Sequence, residues 1–345
     1  MHMADALISP AVGGAMWALT GGLLAHSARR LKRERDERQA PLMGVLGAFI
    51  FAAMMINFSI PGTGSSGHIG GGMILAILLG PCAAFITIAS VVTVQALFFA
   101  DGGLLALGCN IFNMGFFPCF IAYPFIYKRI AGARPTQGRI LAGSLIAVVL
   151  GLQLGAFSVV LETVGSGISE LPFKTFVLLM QPIHLAIGLV EGLITSTVVG
   201  LVWKARPEIL ELAAGARPVG NLGLKKVLTG LAVATILTAA VLSWFASTRP
   251  DALEWSMART SGKEALETPK TGVHGALGRL QHVTAFLSDY DFKKAEKTSG
   301  PKMEIEGPAS VMNAGTSLAG LVGAGLTLGL VAILGAILKR RRSAV

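Results

Sequence analysis

The sequence predicts an all-α integral membrane protein of about nine transmembrane helices, and three observations carry that reading. The first is composition. Of 345 residues, 53% are hydrophobic and 14% are charged, against about 25% charged in an ordinary globular domain. The second is the length of the apolar runs, and the third is where the basic residues fall between them.

Stretches without Asp, Glu, Lys or Arg cover Ala6 to Ala28, Pro41 to Ile60, Ile69 to Ala100, Leu104 to Tyr127, Ile140 to Leu161, Val227 to Ser247 and Val311 to Leu338. Each supplies about the 20 residues that a bilayer helix needs. Thr175 to Trp203, broken only by Glu191, is a further run of spanning length. The net charge of +10 does not form one patch, because 19 of the 29 basic residues lie in four short segments: Arg29 to Ala40, Lys128 to Arg139, Lys204 to Lys226 and Lys339 to Arg342. Nucleic-acid binding calls for a contiguous basic surface and does not fit. Lys and Arg concentrated in cytoplasmic loops do.

Placing those four segments in the cytoplasm fixes the crossings by parity, with the N-terminus outside and the C-terminus inside. The stretch Ile69 to Ala100 must then cross twice, and Gly80-Pro81 is the predicted break. Proline removes a backbone donor and clashes with the preceding turn. A short helix near Gly70 to Leu79 and a longer one from Cys82 to Phe99 result, the first too short to face lipid and so expected to be sheltered by other helices. Residues 1–203 form a seven-helix module in this scheme. Residues 204–226 are a cytoplasmic linker, and 227–345 a two-helix hairpin with an external segment 248–310. Glu162 to Glu170 is expected as an external loop.

Cys82, Cys109 and Cys119 sit inside apolar runs without metal-site spacing and read as small buried residues. No HExxH, GxSxG or GxxxxGK[ST] pattern occurs, so the chain reads as no enzyme, and any ATP hydrolysis belongs to another protein. No basic stretch precedes the apolar part of MHMADALISP, as a cleaved signal would require. The N-terminus is therefore expected to persist, with Met1 retained before the bulky His2.

That expectation gives Met1-His2 its chemistry. The amine of Met1, the main-chain nitrogen of His2 and its ring Nδ1 can close fused five- and six-membered chelate rings on one cation. Such a planar nitrogen set suits Ni(II) or Cu(II). The fourth position of a square then needs one more donor, and His68 lies in the glycine-rich external loop IPGTGSSGHIGGG, on the same side in this topology. Taken singly, His2 is an accident of the start and His68 a hydrogen-bonded loop residue; together they read as a metal site. His184 and Glu191, seven residues apart on one helix face, are the other ionisable pair and the basis of an alternative, a stand-alone secondary transporter or channel with an ion relay. Asn57, Gln95, Asn110, Asn113 and Gln153 either join helices or line a site. His26, His274 and His282 are expected to be solvated.

MHMADALISP, NFSIPGTGSSGHIGGG, DGGLLALGCNIFNMG and HLAIGLVEG together resemble the nickel/cobalt S components of energy-coupling-factor transporters, the NikM/CbiM type, over residues 1–203. RPDALEWSMA and the closing helix resemble the two-helix auxiliary part, NikN/CbiN or its PDGLE-type relative. The usual glycine of that motif is Ala252 here. The resemblance implies a metal held by Met1, His2 and His68, with Ni(II), or Co(II), as transported substrate and no organic cofactor. It further implies a bacterial inner-membrane location in the lipid bilayer and partners comprising a transmembrane coupling protein and two cytoplasmic ATPases. Ala48 and Ala52, four residues apart on the second helix, are either the face for the coupling protein or ordinary packing within the bundle.

Overall fold

Several helix boundaries in the first half of the chain fall on proline or glycine. The computed structural model describes residues 2–34, 39–169, 171–215, 223–262, 266–292 and 314–340. Helix α1, Pro10–Glu34, opens on a proline, where the missing N–H would have had no partner. After α2, Gln39–Met54, a small antiparallel ribbon pairs β1, Phe58–Ser59, with β2, Ser66–Gly67. The ribbon leads directly into His68.

The break at Gly80-Pro81 is present. Helix α3, Gly72–Leu79, stops at Gly80, whose φ of 79° and ψ of 164° suit glycine because a Cβ would collide there. Helix α4, Pro81–Phe99, starts on the proline. All eight residues of α3 are buried, and eight residues rise only about 12 Å. The shelter expected for so short a piece is supplied by α4 and the helices that follow.

Helix α5, Leu107–Ala131, takes wide i→i+5 turns over Phe112–Tyr127, a stretch that contains Pro118 and Pro124, each of which lacks a donor. Helix α6, Gln137–Ser166, is N-capped by the Thr136 hydroxyl, and α7, Phe173–Ala205, packs along it. Helix α6 runs past its apolar stretch, so Glu162, expected in a loop, is a buried helical residue. Part of the expected linker is likewise a helix, α8, Pro207–Ala214, with Ile209 and Leu210 buried. Lys128 Nζ donates to the Ala214 carbonyl at 2.7 Å across that contact.

The second part of the chain begins with α9, Lys225–Ala240, which ends before its apolar run does and gives way to a 3-10 turn, Leu242–Phe245. The polar segment that follows folds into α10, Ala252–Ser261, and α11, Gly272–Thr284. A 3-10 turn, Ser288–Tyr290, comes next, and residues 293–313 lie outside the described residues. Helix α12, Ala314–Arg340, completes the bundle. Among the described residues five helices, α4, α5, α6, α7 and α12, are long and apolar enough to cross a membrane. The other predicted runs carry α1, α2, α3 and α9, of which α2 and α9 have 16 residues each.

Ala48 and Ala52 are only 5% and 0% exposed. Of the two alternatives, packing within the bundle is the one present, and a face for a partner protein is corrected: α4, α9 and α12 enclose α2. Helix α12 reaches α2 through glycine. An ideal Cβ built on Gly323 would lie 1.9 Å from the Phe51 ring, whereas one on Gly325 would meet nothing within 4 Å. Gly323→Val should therefore cost about 1–3 kcal/mol as overpacking, read as a lower thermal midpoint in detergent. Gly325→Val should leave the midpoint nearly unchanged.

Candidate metal centre

Two short segments meet at one end of the bundle, and each is fixed by main-chain hydrogen bonds. The first is the N-terminal segment. Asn110 on α5 grips Met3 from both sides: its Oδ1 accepts the Met3 N–H at 2.8 Å and its Nδ2 donates to the Met3 carbonyl at 3.2 Å. The Gly103 N–H donates to the same carbonyl at 2.9 Å. The Met3 side chain is fully buried, with Asn113 Nδ2 3.8 Å from its sulfur and 2.7 Å from Glu162 Oε2. Asp5 Oδ1 accepts the Ala106 N–H at 3.0 Å, and a Cβ on Gly103 would stand 1.8 Å from that oxygen. Only glycine fits there.

This anchoring places His2. Its Nε2 lies 3.1 Å from Gln95 Oε1 and its Nδ1 3.3 Å from Asp101 Oδ1. A neutral imidazole has one N–H, so one of these two acceptors takes it. Burial lowers the His2 pKa, and Asp101 opposes that shift. Met1 lies outside the described residues.

The second segment is the loop carrying His68. The Glu191 carboxylate, rising from α7, accepts the N–H groups of Gly70 at 2.9 Å and Gly71 at 2.8 Å, one on each oxygen. His68 Nδ1 lies 3.0 Å from the Ile69 carbonyl. The tautomer that makes this bond carries its proton on Nδ1 and leaves the Nε2 lone pair for a metal. The His2 and His68 rings stack, with centroids 5.3 Å apart and planes 22° from parallel. Burial, together with the positive charge of neighbours including His2, lowers the His68 pKa to about 4. The ring is neutral at physiological pH, as a ligand must be.

His184 and Glu191 do share a face of α7, but the structure gives them packing duties. Glu191 holds the loop, and His184 Nδ1 bonds the Met180 carbonyl at 2.8 Å. His184 also borders a cavity of about 20 Å3 with His68, Gly67, Met114 and Asp251, room for about one water. Among the described residues, no group of three or more His, Cys, Asp or Glu side chains is arranged to hold a metal ion. Side chains alone therefore make no cage in the described part, and the donor set expected from the sequence draws on main-chain nitrogen.

Residues 2–209 match the CbiM family model, described as cobalt uptake substrate-specific transmembrane region. The chain belongs to the CbiM family. A second model, the PDGLE domain, matches residues 225–340. A protein of Archaeoglobus fulgidus with the provisional name fused nickel transport protein NikMN is 35% identical over 240 residues, covering 68% of this chain and 76% of that one. The fused nickel transport protein NikMN of Rhodobacter capsulatus is 31% identical and covers 84% of this chain and 88% of its own. A crystal structure of a truncated transition metal transporter is similar with a TM-score of 0.53 at 30% identity, over 59% of this chain and 99% of that one.

The PDGLE part closes over the CbiM module. Tyr290 donates its hydroxyl to Asp101 Oδ2 at 2.5 Å while stacking on Phe99. Gln281 Nε2 donates to the Ala96 and Gly102 carbonyls at 2.9 and 2.7 Å. His274 is not solvated as expected but buried, with Nε2 2.9 Å from the Ile8 carbonyl; His26 and His282 are exposed. Between module and cap lies a cavity of about 580 Å3 bordered by His2, His68, Asp101, Asp251, Glu254 and Tyr290, among others.

Of the polar residues singled out in the sequence, Gln95, Asn110 and Asn113 reach the N-terminal segment. Gln153 instead joins α6 to α7 through the Gln181 carbonyl at 2.9 Å, and the Asn57 carbonyl accepts the Ser247 N–H at 2.7 Å. Asp5, Asp101 and Asp251 lie within MHMADALISP, DGGLLALGCNIFNMG and RPDALEWSMA but were given no role from the sequence, Glu162 was placed in a loop, and Tyr290 escaped sequence reading. Because the loop hangs on two charge-assisted bonds, Glu191→Gln removes one of them and turns an amide N–H toward another. Ni(II) affinity should fall about 10-fold, by calorimetric titration of the purified protein, with the ligand set unchanged.

Proposed function

We propose that this chain is the substrate-binding membrane subunit of an ATP-driven nickel or cobalt uptake transporter. It captures the ion outside the cell through the Met1 amine, the main-chain nitrogen and ring of His2, and the ring of His68. The observation that carries the reading is the stack of His2 on His68, two imidazoles from segments 66 residues apart, each fixed by main-chain bonds. The relatives' names, which specify nickel, and the family description, which specifies cobalt uptake, support the cargo class. Planar nitrogen donors favour Ni(II) over Co(II).

The rest of the arrangement follows from the charge distribution. Nine crossings with the N-terminus outside put every basic cluster on the cytoplasmic side of the bacterial inner membrane. The chain is read as a seven-helix capture module, residues 1–203, joined by residues 204–226 to an auxiliary hairpin. Energy comes from partners, a transmembrane coupling protein and two cytoplasmic ATPases. A stand-alone transporter relaying ions through His184 and Glu191 is the weaker reading, because both groups are engaged in bonds that shape the site.

Extending the N-terminus by one alanine moves the amine out of the chelate while leaving every side chain in place. Ni(II) binding should collapse in that variant. His68→Ala should cost more than the roughly 10–100-fold typical of outer-shell partners. Unchanged affinity in the extended protein defeats the site, and uptake by the chain alone in energised vesicles without ATPases defeats the proposed partnership.

A further inference from the structure

We propose that α11 of the PDGLE part is an interfacial anchor, lying along the bilayer surface at the end of the bundle where His2 and His68 meet and sinking one apolar flank into the lipid. The placement comes from its tethers. At its start, His274 bonds the Ile8 carbonyl, two residues before α1 begins. Towards its end, Gln281 donates to the Ala96 carbonyl, in the last turn of α4. Just beyond, the Leu287 N–H donates to the Phe98 carbonyl at 3.3 Å, and the Phe286 ring packs on that of Phe98 with centroids 5.7 Å apart. Helix α4 is long and apolar enough to cross a membrane. A helix strung from the start of α1 to the finish of α4 lies across the end of the bundle, at the level where hydrocarbon gives way to headgroups.

Helix α11 has three sides. Successive residues turn by about 100°, so His274, Leu277 and Gln281 share the side that meets the bundle. His282 lies on one flank. Val273, Ala276, Leu280 and Val283 form the other, spaced at i, i+3, i+7 and i+10. Val273, Leu280 and Val283 are 48%, 49% and 79% exposed, and Ala276 is exposed with them. One exposed apolar residue is ordinary. A whole flank of them at helical spacing, continued by the exposed Phe286, marks a surface that meets an apolar partner.

Charge selects the partner. From Lys270 to Ser288 the chain carries Lys270 and Arg279 and neither Asp nor Glu. Arg279 stands between His282 and Val283 around the helix, where its stem can follow the apolar flank while its guanidinium reaches a lipid phosphate. Apolar residues on one flank with basic ones beside them are the composition of helices that rest in a membrane interface. A bilayer is also the apolar surface already present at this level. Such an anchor holds whichever metal the chain carries.

Single added tryptophans test the anchor in full-length protein reconstituted into phosphatidylglycerol–phosphatidylcholine vesicles, with the parent's four tryptophans as background. Val283→Trp and Leu280→Trp place the new ring on the apolar flank, and His282→Trp places it on the polar one. All three positions are exposed, and either apolar-flank variant suffices should the other fail to fold. Lipids brominated high on the acyl chain should remove most of the emission added at positions 280 and 283, because an interfacial helix sinks its apolar face about 5–10 Å. Emission added at position 282 should instead be quenched by iodide supplied on both sides of the membrane. Brominated lipid that quenches positions 280 and 283 no more than position 282 overturns the proposal. Shielding of 280 and 283 from both quenchers overturns it too, and assigns the flank to a protein surface, a second copy or another chain.

Discussion

Asn110 holds Met3 by both of its main-chain groups, and the geometry of the proposed metal centre descends from that contact. A site whose donors include main-chain nitrogen cannot be positioned by choosing rotamers, because the chain itself must be brought to the metal and stopped there. A terminal segment is ordinarily the least ordered part of a domain, and ordering each residue costs about 1–2 kcal/mol. Here the order is built in during folding. The Asn110 amide, the Gly103 N–H and the burial of the Met3 side chain stop the chain one residue after His2. Fixing two residues beforehand is worth roughly one to three factors of ten in affinity, since each 1.4 kcal/mol is tenfold.

The partner segment obeys the same logic with the roles exchanged. His68, the proposed side-chain donor, lies on a glycine-rich loop, and such a loop has many conformations to lose. Glu191 narrows them by accepting two consecutive N–H groups, a bidentate arrangement of charge-assisted bonds. The cost of placing a carboxylate within the bundle is offset only while both donors are present. This gives an ionisable residue in a largely apolar helix a structural duty. Loop and carboxylate are one unit, as Asn110 and the N-terminal segment are another.

Much of this architecture was legible from hydropathy and punctuation. Apolar runs became helices, Gly80-Pro81 became the break between α3 and α4, and His2 and His68 came together. What escaped depends on contacts that no local pattern encodes. Glu162 was assigned to a loop because the apolar run stops at Leu161, yet helix α6 continues for another turn and gives the carboxylate Asn113 and Ser158 as partners. His274 read as solvated because its neighbours are polar, and it is buried because α11 lands on the N-terminal segment. Ala48 and Ala52 had the spacing of an open interface, but the auxiliary helix α12 already covers α2.

That last correction bears on how the two parts of the chain cooperate. The PDGLE part reaches the N-terminal segment through His274, the Asp101 loop through Gln281 and Tyr290, and the His68 loop through the carbonyls of Arg249 and Pro250. Each segment that forms the centre therefore has one anchor in its own module and one in the hairpin. Tyr290 shares Asp101 with His2: one carboxylate oxygen faces the hairpin and the other faces the ring. In the proposed chelate a cation on His2 Nδ1 would take the place of Asp101 there, and Asp101 would keep the hydroxyl of Tyr290 as its partner.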